Sequence, residues 1–236
     1  MYKLNVANLE KYRYSAIDLS PIANYILQPY WSWAVTLFPL WMAPNLITLL
    51  GFLFVIANFI LSYLYSPDLL RVGPDWIYVS FAVGIFLYST FDNVDGKQAR
   101  RTGTSSALGE VFDHSIDALN VSMGAILQMA TFSSGFGFES GMILAIATTS
   151  FFISTWETSY TKTMYLGYIN GPTEGLLITV GTMLLSARYG PSIWKTKISY
   201  LIPSLGQSSS FEYVTLAQIM IYGMLFLLIT TQAPVR

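Results

Sequence analysis

Residues 46–65 read LITLLGFLFVIANFILSYLY, twenty positions without an Asp, Glu, Lys or Arg. A helix needs about 20 mostly apolar residues to cross the hydrocarbon core of a bilayer. Outward from this run the same character repeats at Trp76 to Phe91, Ala107 to Phe132, Gly141 to Tyr160, Gly175 to Ala187 and Tyr213 to Thr231. The expectation is an all-α polytopic membrane bundle of about six transmembrane helices. Composition agrees: 53% of the 236 residues are hydrophobic and 11% charged, against about 25% charged in soluble domains. The first twenty residues carry Lys3, Glu10, Lys11, Arg13 and Asp18 among apolar positions, too charged for the core of a signal peptide. They suit an amphipathic helix lying on the membrane. Trp31 to Met42, broken by Pro39 and followed by Pro44, reads as interfacial or re-entrant. The organisation expected is therefore a segment over 1–45 and a six-span core over 46–236.

Against this apolar background, Asp92, Asp95, Asp113 and Asp117 fall within 26 positions. Carboxylates inside a membrane are costly and need partners, such as a metal ion. Gly109, Asp113 and Asp117 are four apart and share one helical face. Asp92 and Asp95 are one turn from each other at the end of the preceding span. Gly96 is expected to let the chain turn there, and Gly109, lacking a side chain, lets a helix or ligand approach. Two carboxylates from each of two helices suggest a shared two-metal site. All-oxygen ligands suit Mg²⁺, with Mn²⁺ as a substitute, and paired metals serve phosphoryl displacement. The chain has no Cys and a single His, His114, which excludes disulfides, thiol catalysis and multi-His metal sites. A net charge of −1 gives no sign of a nucleic-acid partner. The competing reading has the carboxylates paired with Lys97, Arg100 and Arg101, or lining an ion pathway.

From Asp95 the spacing is D-G-x2-A-R-x8-G-x3-D-x3-D, which resembles the signature of the CDP-alcohol phosphotransferase family. The surrounding residues, Pro44-Asn45-Leu46-Ile47-Thr48, Asp92 to Gly103, Gly109-Glu110-Val111-Phe112-Asp113-His114 and Gly171-Pro172-Thr173-Glu174-Gly175, are similar to its eukaryotic choline/ethanolamine phosphotransferase branch. The resemblance implies transfer of phosphocholine or phosphoethanolamine from CDP-choline or CDP-ethanolamine to diacylglycerol, giving phospholipid and CMP. It implies that Asp92, Asp95 and Asp113 hold one Mg²⁺ ion and Asp95, Asp113 and Asp117 a second. Arg100, Asn45, Gly96 and Gly109 would lie against the CDP. Asn45 after Pro44 reads equally as a helix cap. The base that takes the hydroxyl proton is expected at His114 rather than Asp117, since a metal-bound carboxylate is a poor base. Glu110, four residues earlier, shares its face and would orient the imidazole. Glu157 and Glu174 read chiefly as structural, and the sequon at Asn120 lies inside a span.

The resemblance also implies about ten spans, so the six read here correspond to a C-terminally shortened chain. That leaves an inactive membrane partner of a full-length enzyme as one alternative. A different acceptor such as inositol is another; a phosphorylated acceptor would need more Lys and Arg than remain. With the N-terminus cytosolic, eight Lys and Arg fall on the cytosolic side and four opposite, which faces the motif to the cytosol. The family expectation is the endoplasmic reticulum membrane, with the Golgi as a second location, contact with membrane lipids, and a homodimer as a compatible assembly.

Overall fold

The computed structural model describes residues 15–202 and 212–232. Among them, the chain begins with a short strand β1 (Ala16–Asp18), then a π-helical turn over Ala23–Leu27 that runs into α1 (Gln28–Ala34). The long helices follow: α2 (Pro44–Tyr65), α3 (Asp75–Thr102), α4 (Ala107–Phe132) and α5 (Phe138–Thr161). Then come β2 (Met164–Leu166), a π-helical turn at Gly171–Gly175, α6 (Leu176–Tyr189), a 3₁₀ turn at Pro191–Lys195, α7 (Ile198–Leu201) and α8 (Leu216–Gln232). Each of the six expected spans is a helix, five of them close to their expected limits; α3 runs well past the expected Phe91, to Thr102. By length and composition, α2, α3 and α5 can cross a membrane. α4 is 26 residues long but polar in its first turns, α6 has 14 residues, and the apolar part of α8 covers Leu216–Thr230. The molecule is an all-α membrane bundle with one two-stranded ladder added.

The helix ends obey local chemistry. Pro44 and Pro172 sit in first turns, where the missing N–H costs nothing. Ser106 caps α4, its Oγ accepting the Gly109 N–H at 3.1 Å. The expected turn at Gly96 does not occur: α3 passes straight through it. A single Gly costs a helix only about 1 kcal/mol, and Lys97, Gln98, Ala99 and Arg100 are all good helix formers. The chain turns at Gly103 instead, with φ at 69°, where the Gly103 and Thr104 N–H groups cap Ala99 O; this is the left-handed stop that glycine favours.

Lipid tails are as apolar as leucine, so helix association in a membrane relies on close packing and polar contacts. α2 lies along α3, α3 along α6, and α4 against α2 and α5. Two glycines set the α2–α3 approach. A Cβ on Gly51 would be 2.7 Å from Phe91 Cβ, and one on Gly84 2.0 Å from Asn58 Nδ2. Asn58 cannot easily retreat, because it donates to Ser80 O at 2.8 Å and accepts from Ser80 Oγ at 2.7 Å. Gly84→Ala is therefore expected to destabilise the bundle by about 1–3 kcal/mol, read as a lower melting temperature of the purified protein in detergent. An unchanged melting temperature would show that Asn58 re-orients freely. Between α4 and α6, Thr182 Oγ1 donates to Gln128 Oε1 at 3.1 Å, and from the 3₁₀ turn after α6 Trp194 Nε1 donates back to Ser186 Oγ at 2.6 Å.

The N-terminal amphipathic helix falls mostly on residues outside those described; its last part, Ala16–Asp18, is strand. β1 pairs in parallel with β2, Ala16 opposite Met164 and Asp18 opposite Leu166. A polar clasp extends the ladder. Buried Glu174 accepts the Asn170 N–H at 2.9 Å and the Ser20 hydroxyl, and Ser20 Oγ accepts the Ala23 N–H at 3.0 Å. Partial burial pushes the Asp18 carboxyl above its ordinary pKa, opposed by the Ser20 N–H it accepts at 2.9 Å. Glu174 thus has the structural role expected of it, and Gly171–Gly175 is a π-helical entry to α6, not a loop.

Candidate active site

The site stands where three helix ends meet: the start of α2, the last turns of α3 and the start of α4. α3 and α4 follow each other in sequence, yet each packs more closely on α2 or α6 than on the other. Joined only by residues 103–106, the two helices make few direct contacts with each other, and the acidic residues lie between them. Asp92, Asp95 and Asp113 can each offer an oxygen with all three atoms within 4.8 Å of one another; Asp113, His114 and Asp117 form a second such group. Asp113 is common to both. The carboxyl groups of Asp92 and Asp117 face each other, as do those of Asp95 and Asp113.

Neighbouring hydroxyls orient these acids. Tyr88, one turn before Asp92, donates to Asp117 Oδ1 at 2.6 Å. Thr48 on α2 donates to Asp95, a bond that reaches across the closely packed α2–α3 pair. The sequence reading missed both residues. Tyr88 had a visible signal, since it lies four positions before Asp92 on the same face. Three other oxygens, Asp92 Oδ1, Asp113 Oδ1 and Glu110 Oε2, are buried without a hydrogen-bond partner among the described residues. Buried polar atoms are normally satisfied, so orphaned carboxylate oxygens converging on one gap fit a hard cation.

The cationic side chains are not used to neutralise these acids. Lys97 Nζ donates to Gln28 Oε1 at 2.8 Å and Ser32 Oγ at 3.2 Å on α1. Arg101 Nη1 donates to the carbonyls of Val35 and Phe38, each at 3.0 Å. Both tie the interfacial segment to α3. Among the described residues no Lys or Arg makes an ion pair with the four aspartates, so the ion-pair alternative has no support in the geometry.

The remaining candidates gather around the same gap. His114 Nε2 is 3.8 Å from Glu110 Oε1, and Nδ1 is 3.8 Å from Asp117 Oδ2 and 4.0 Å from Asp113 Oδ2. These separations are close enough for electrostatic coupling and too long for hydrogen bonds. His114 Nδ1 has no partner among the described residues. Arg100 is exposed, on the α3 face of Asp92 and Gly96, two turns outward. Gly96 leaves that face bare, a Cβ there meeting only Arg100 Nη1 at 3.5 Å. Gly109 does the same on α4, its nearest neighbours being Ser106 Oγ and Asn45 Oδ1, at 3.3 and 3.6 Å from a built Cβ. Asn45 does not cap α2: Ala43 is the N-cap residue and no side chain caps the helix. Its carbonyl lies instead beside Gly109. Glu157 is exposed at the end of α5.

The family model described as CDP-alcohol phosphatidyltransferase matches residues 41–229. The chain is 40% identical over 221 residues to choline/ethanolaminephosphotransferase 2 of Arabidopsis thaliana, covering 94% of this chain and 56% of that protein. It is 42% identical over 193 residues to choline/ethanolaminephosphotransferase 1 of Saccharomyces cerevisiae, covering 81% and 49%. With ethanolaminephosphotransferase 1 of Homo sapiens it shares 37% identity over 171 residues, 68% and 43% of the two chains. The chain spans about half the length of the curated relatives it matches.

Proposed function

Because the chain belongs to the CDP-alcohol phosphatidyltransferase family, we propose that it transfers phosphocholine or phosphoethanolamine from the CDP-alcohol to diacylglycerol, releasing CMP. The family uses a divalent metal. The observation that carries the reading is the set of unpaired, converging carboxylate oxygens shared by α3 and α4. Asp92, Asp95 and Asp113 would hold one Mg²⁺ ion and Asp95, Asp113 and Asp117 a second, and when bound the pair neutralises the pyrophosphate and stabilises charge on departing CMP. Residues 46–236 are then the catalytic core.

The chain's own residues supply the rest. Gly96 and Gly109 face the gap from α3 and α4 without side chains, leaving room for the diphosphate beside the backbone. Arg100, exposed and free of ion pairs among the described residues, binds the phosphate oxygens. Asn45 beside Gly109 reaches the nucleotide. Magnesium prefers oxygen, which leaves His114 free to take the proton from the primary hydroxyl of diacylglycerol. The hydroxyl oxygen bonds to the β-phosphorus, the bond from that phosphorus to the bridging oxygen breaks, and CMP keeps the electron pair. Glu110 stabilises the imidazolium so formed. The reading carries with it a cytosolic orientation of this gap, so that soluble CDP-alcohol enters from water, and residence in the endoplasmic reticulum.

The test uses membranes lacking endogenous activity, charged with the purified chain, diacylglycerol and radiolabelled CDP-choline or CDP-ethanolamine. Transfer is expected with Mg²⁺ and none with EDTA, and the ratio of products reports headgroup preference. CDP binding that requires Mg²⁺, without transfer by correctly inserted protein, would assign the chain to a non-catalytic partner. Transfer to inositol alone would change the acceptor. Failure to bind CDP with metal present would sink the reading altogether.

A further inference from the structure

Two buried hydroxyls hold the aspartates from behind, and each reaches an acid on a different helix. Thr48 of α2, 2% exposed, donates to Asp95 Oδ2 on α3. Tyr88 of α3, 3% exposed, donates to Asp117 Oδ1 on α4 at 2.6 Å. Neither donor is free to follow if its acid turns. The Tyr88 ring stands edge-on to Phe52 with centroids 6.5 Å apart, and a Cβ built on Gly51 is 3.6 Å from Tyr88 Cα, so α2 closes that side. Thr48 is branched at Cβ and stiff at χ1. Its alternative acceptor among the described residues, Pro44 O, is 3.3 Å away.

The four acids therefore fall into two kinds. Asp92 Oδ1 and Asp113 Oδ1 are buried with no hydrogen-bond partner among the described residues. Asp95 and Asp117 each have one oxygen committed to a fixed donor. In Asp117 the other oxygen, Oδ2, is the one 3.8 Å from His114 Nδ1. A carboxylate gripped at one oxygen offers an ion the other; to chelate with both, it must turn and lose its donor. That difference separates hard cations. Mg²⁺ demands near-ideal octahedral geometry at about 2.0–2.1 Å, whereas Ca²⁺ accepts more ligands at about 2.3–2.6 Å, including carboxylates that bind through both oxygens. Ligand number and site flexibility decide between the two ions, and the hydroxyls remove flexibility.

On the two-metal assignment above, we propose that Thr48 and Tyr88 are positioning residues that fit the site to Mg²⁺ and against Ca²⁺, by holding Asp95 and Asp117 to coordination through one oxygen each. The choice of ion is then set by hydroxyls that do not touch it, one supplied by α2 and one by α3.

The experiment titrates the purified full chain in detergent with MgCl₂ or CaCl₂, without substrate, and follows the melting temperature. The wild type is expected to be stabilised at lower Mg²⁺ than Ca²⁺. Tyr88→Phe and Thr48→Val each remove a hydroxyl at nearly constant volume. Groups that orient metal ligands are worth about 10–100-fold in metal affinity, so each variant should need at least ~10-fold more Mg²⁺ for the same stabilisation. The Ca²⁺ it needs should be unchanged or lower. Thr48→Ser keeps the donor and should keep the wild-type ratio of the two ions. Should Tyr88→Phe misassemble, Thr48→Val and Thr48→Ser carry the same prediction from α2. A parallel fall in both affinities, or a wild type that prefers Ca²⁺, overturns the proposal and leaves the metal site in place. A wild type that responds to neither ion overturns the two-metal assignment, and the proposal with it.

Discussion

Asp113→Ala is expected to lower the transfer rate by at least ~10³-fold, about 4 kcal/mol, the upper range for removing one pre-organised electrostatic element from a site. Asp113 is chosen because it belongs to both clusters of converging donor atoms and, with Asp95, to both proposed metal positions, so its loss damages both. CDP binding in Mg²⁺ should fall with it, which separates the effect from a simple loss of the base. The isosteric Asp113→Asn gives a second, opposite readout. Four carboxylates crowded at one gap repel one another when no cation is present. Neutralising one should therefore raise the melting temperature in EDTA while abolishing transfer in Mg²⁺. A variant that loses both activity and metal-free stability would show that Asp113 is a structural residue.

His114→Ala should lower the rate by ~10²–10⁴-fold, the usual contribution of a general base, with Mg²⁺-dependent CDP binding retained. The alternative lies in the geometry itself, because His114 also completes a ligand group with Asp113 and Asp117. If His114→Ala weakens metal binding together with transfer, the imidazole is a ligand and not a base. Glu110→Gln then distinguishes a smaller effect: with Glu110 Oε1 3.8 Å from the imidazole, the substitution should lower the transfer rate more than the affinity for CDP.

The long helices were legible because each contains an extended apolar run, and in a membrane a run of that kind has few alternatives to a helix. The acidic face of α4 was legible for the same reason, since a spacing of four fixes a helical side. Gly96 misled because glycine is read as a stop, whereas inside a strong helical segment its small penalty is outweighed by the hydrogen bonds on either side. The β1–β2 ladder left no trace in the sequence. Three-residue strands carry no alternation to detect, and their pairing joins segments far apart along the chain. Thr48 was quoted as part of a motif, yet its bond to Asp95 depends on how closely α2 and α3 approach, a distance that no linear pattern encodes.

The ladder between Ala16–Asp18 and Met164–Leu166 also sets an order of events during synthesis. Its first strand leaves the ribosome early and cannot pair until α2 through α5 have been made. At roughly 5–20 residues per second, the offset of 148 positions between paired residues imposes a wait of about 7–30 s. During that interval residues 16–20 are held by neither β2 nor Glu174, and the aspartates of α3 reach the membrane before those of α4. Closure of the ladder is thus a late step, and protection of residues 15–20 from a protease added during translation would time the completion of the fold.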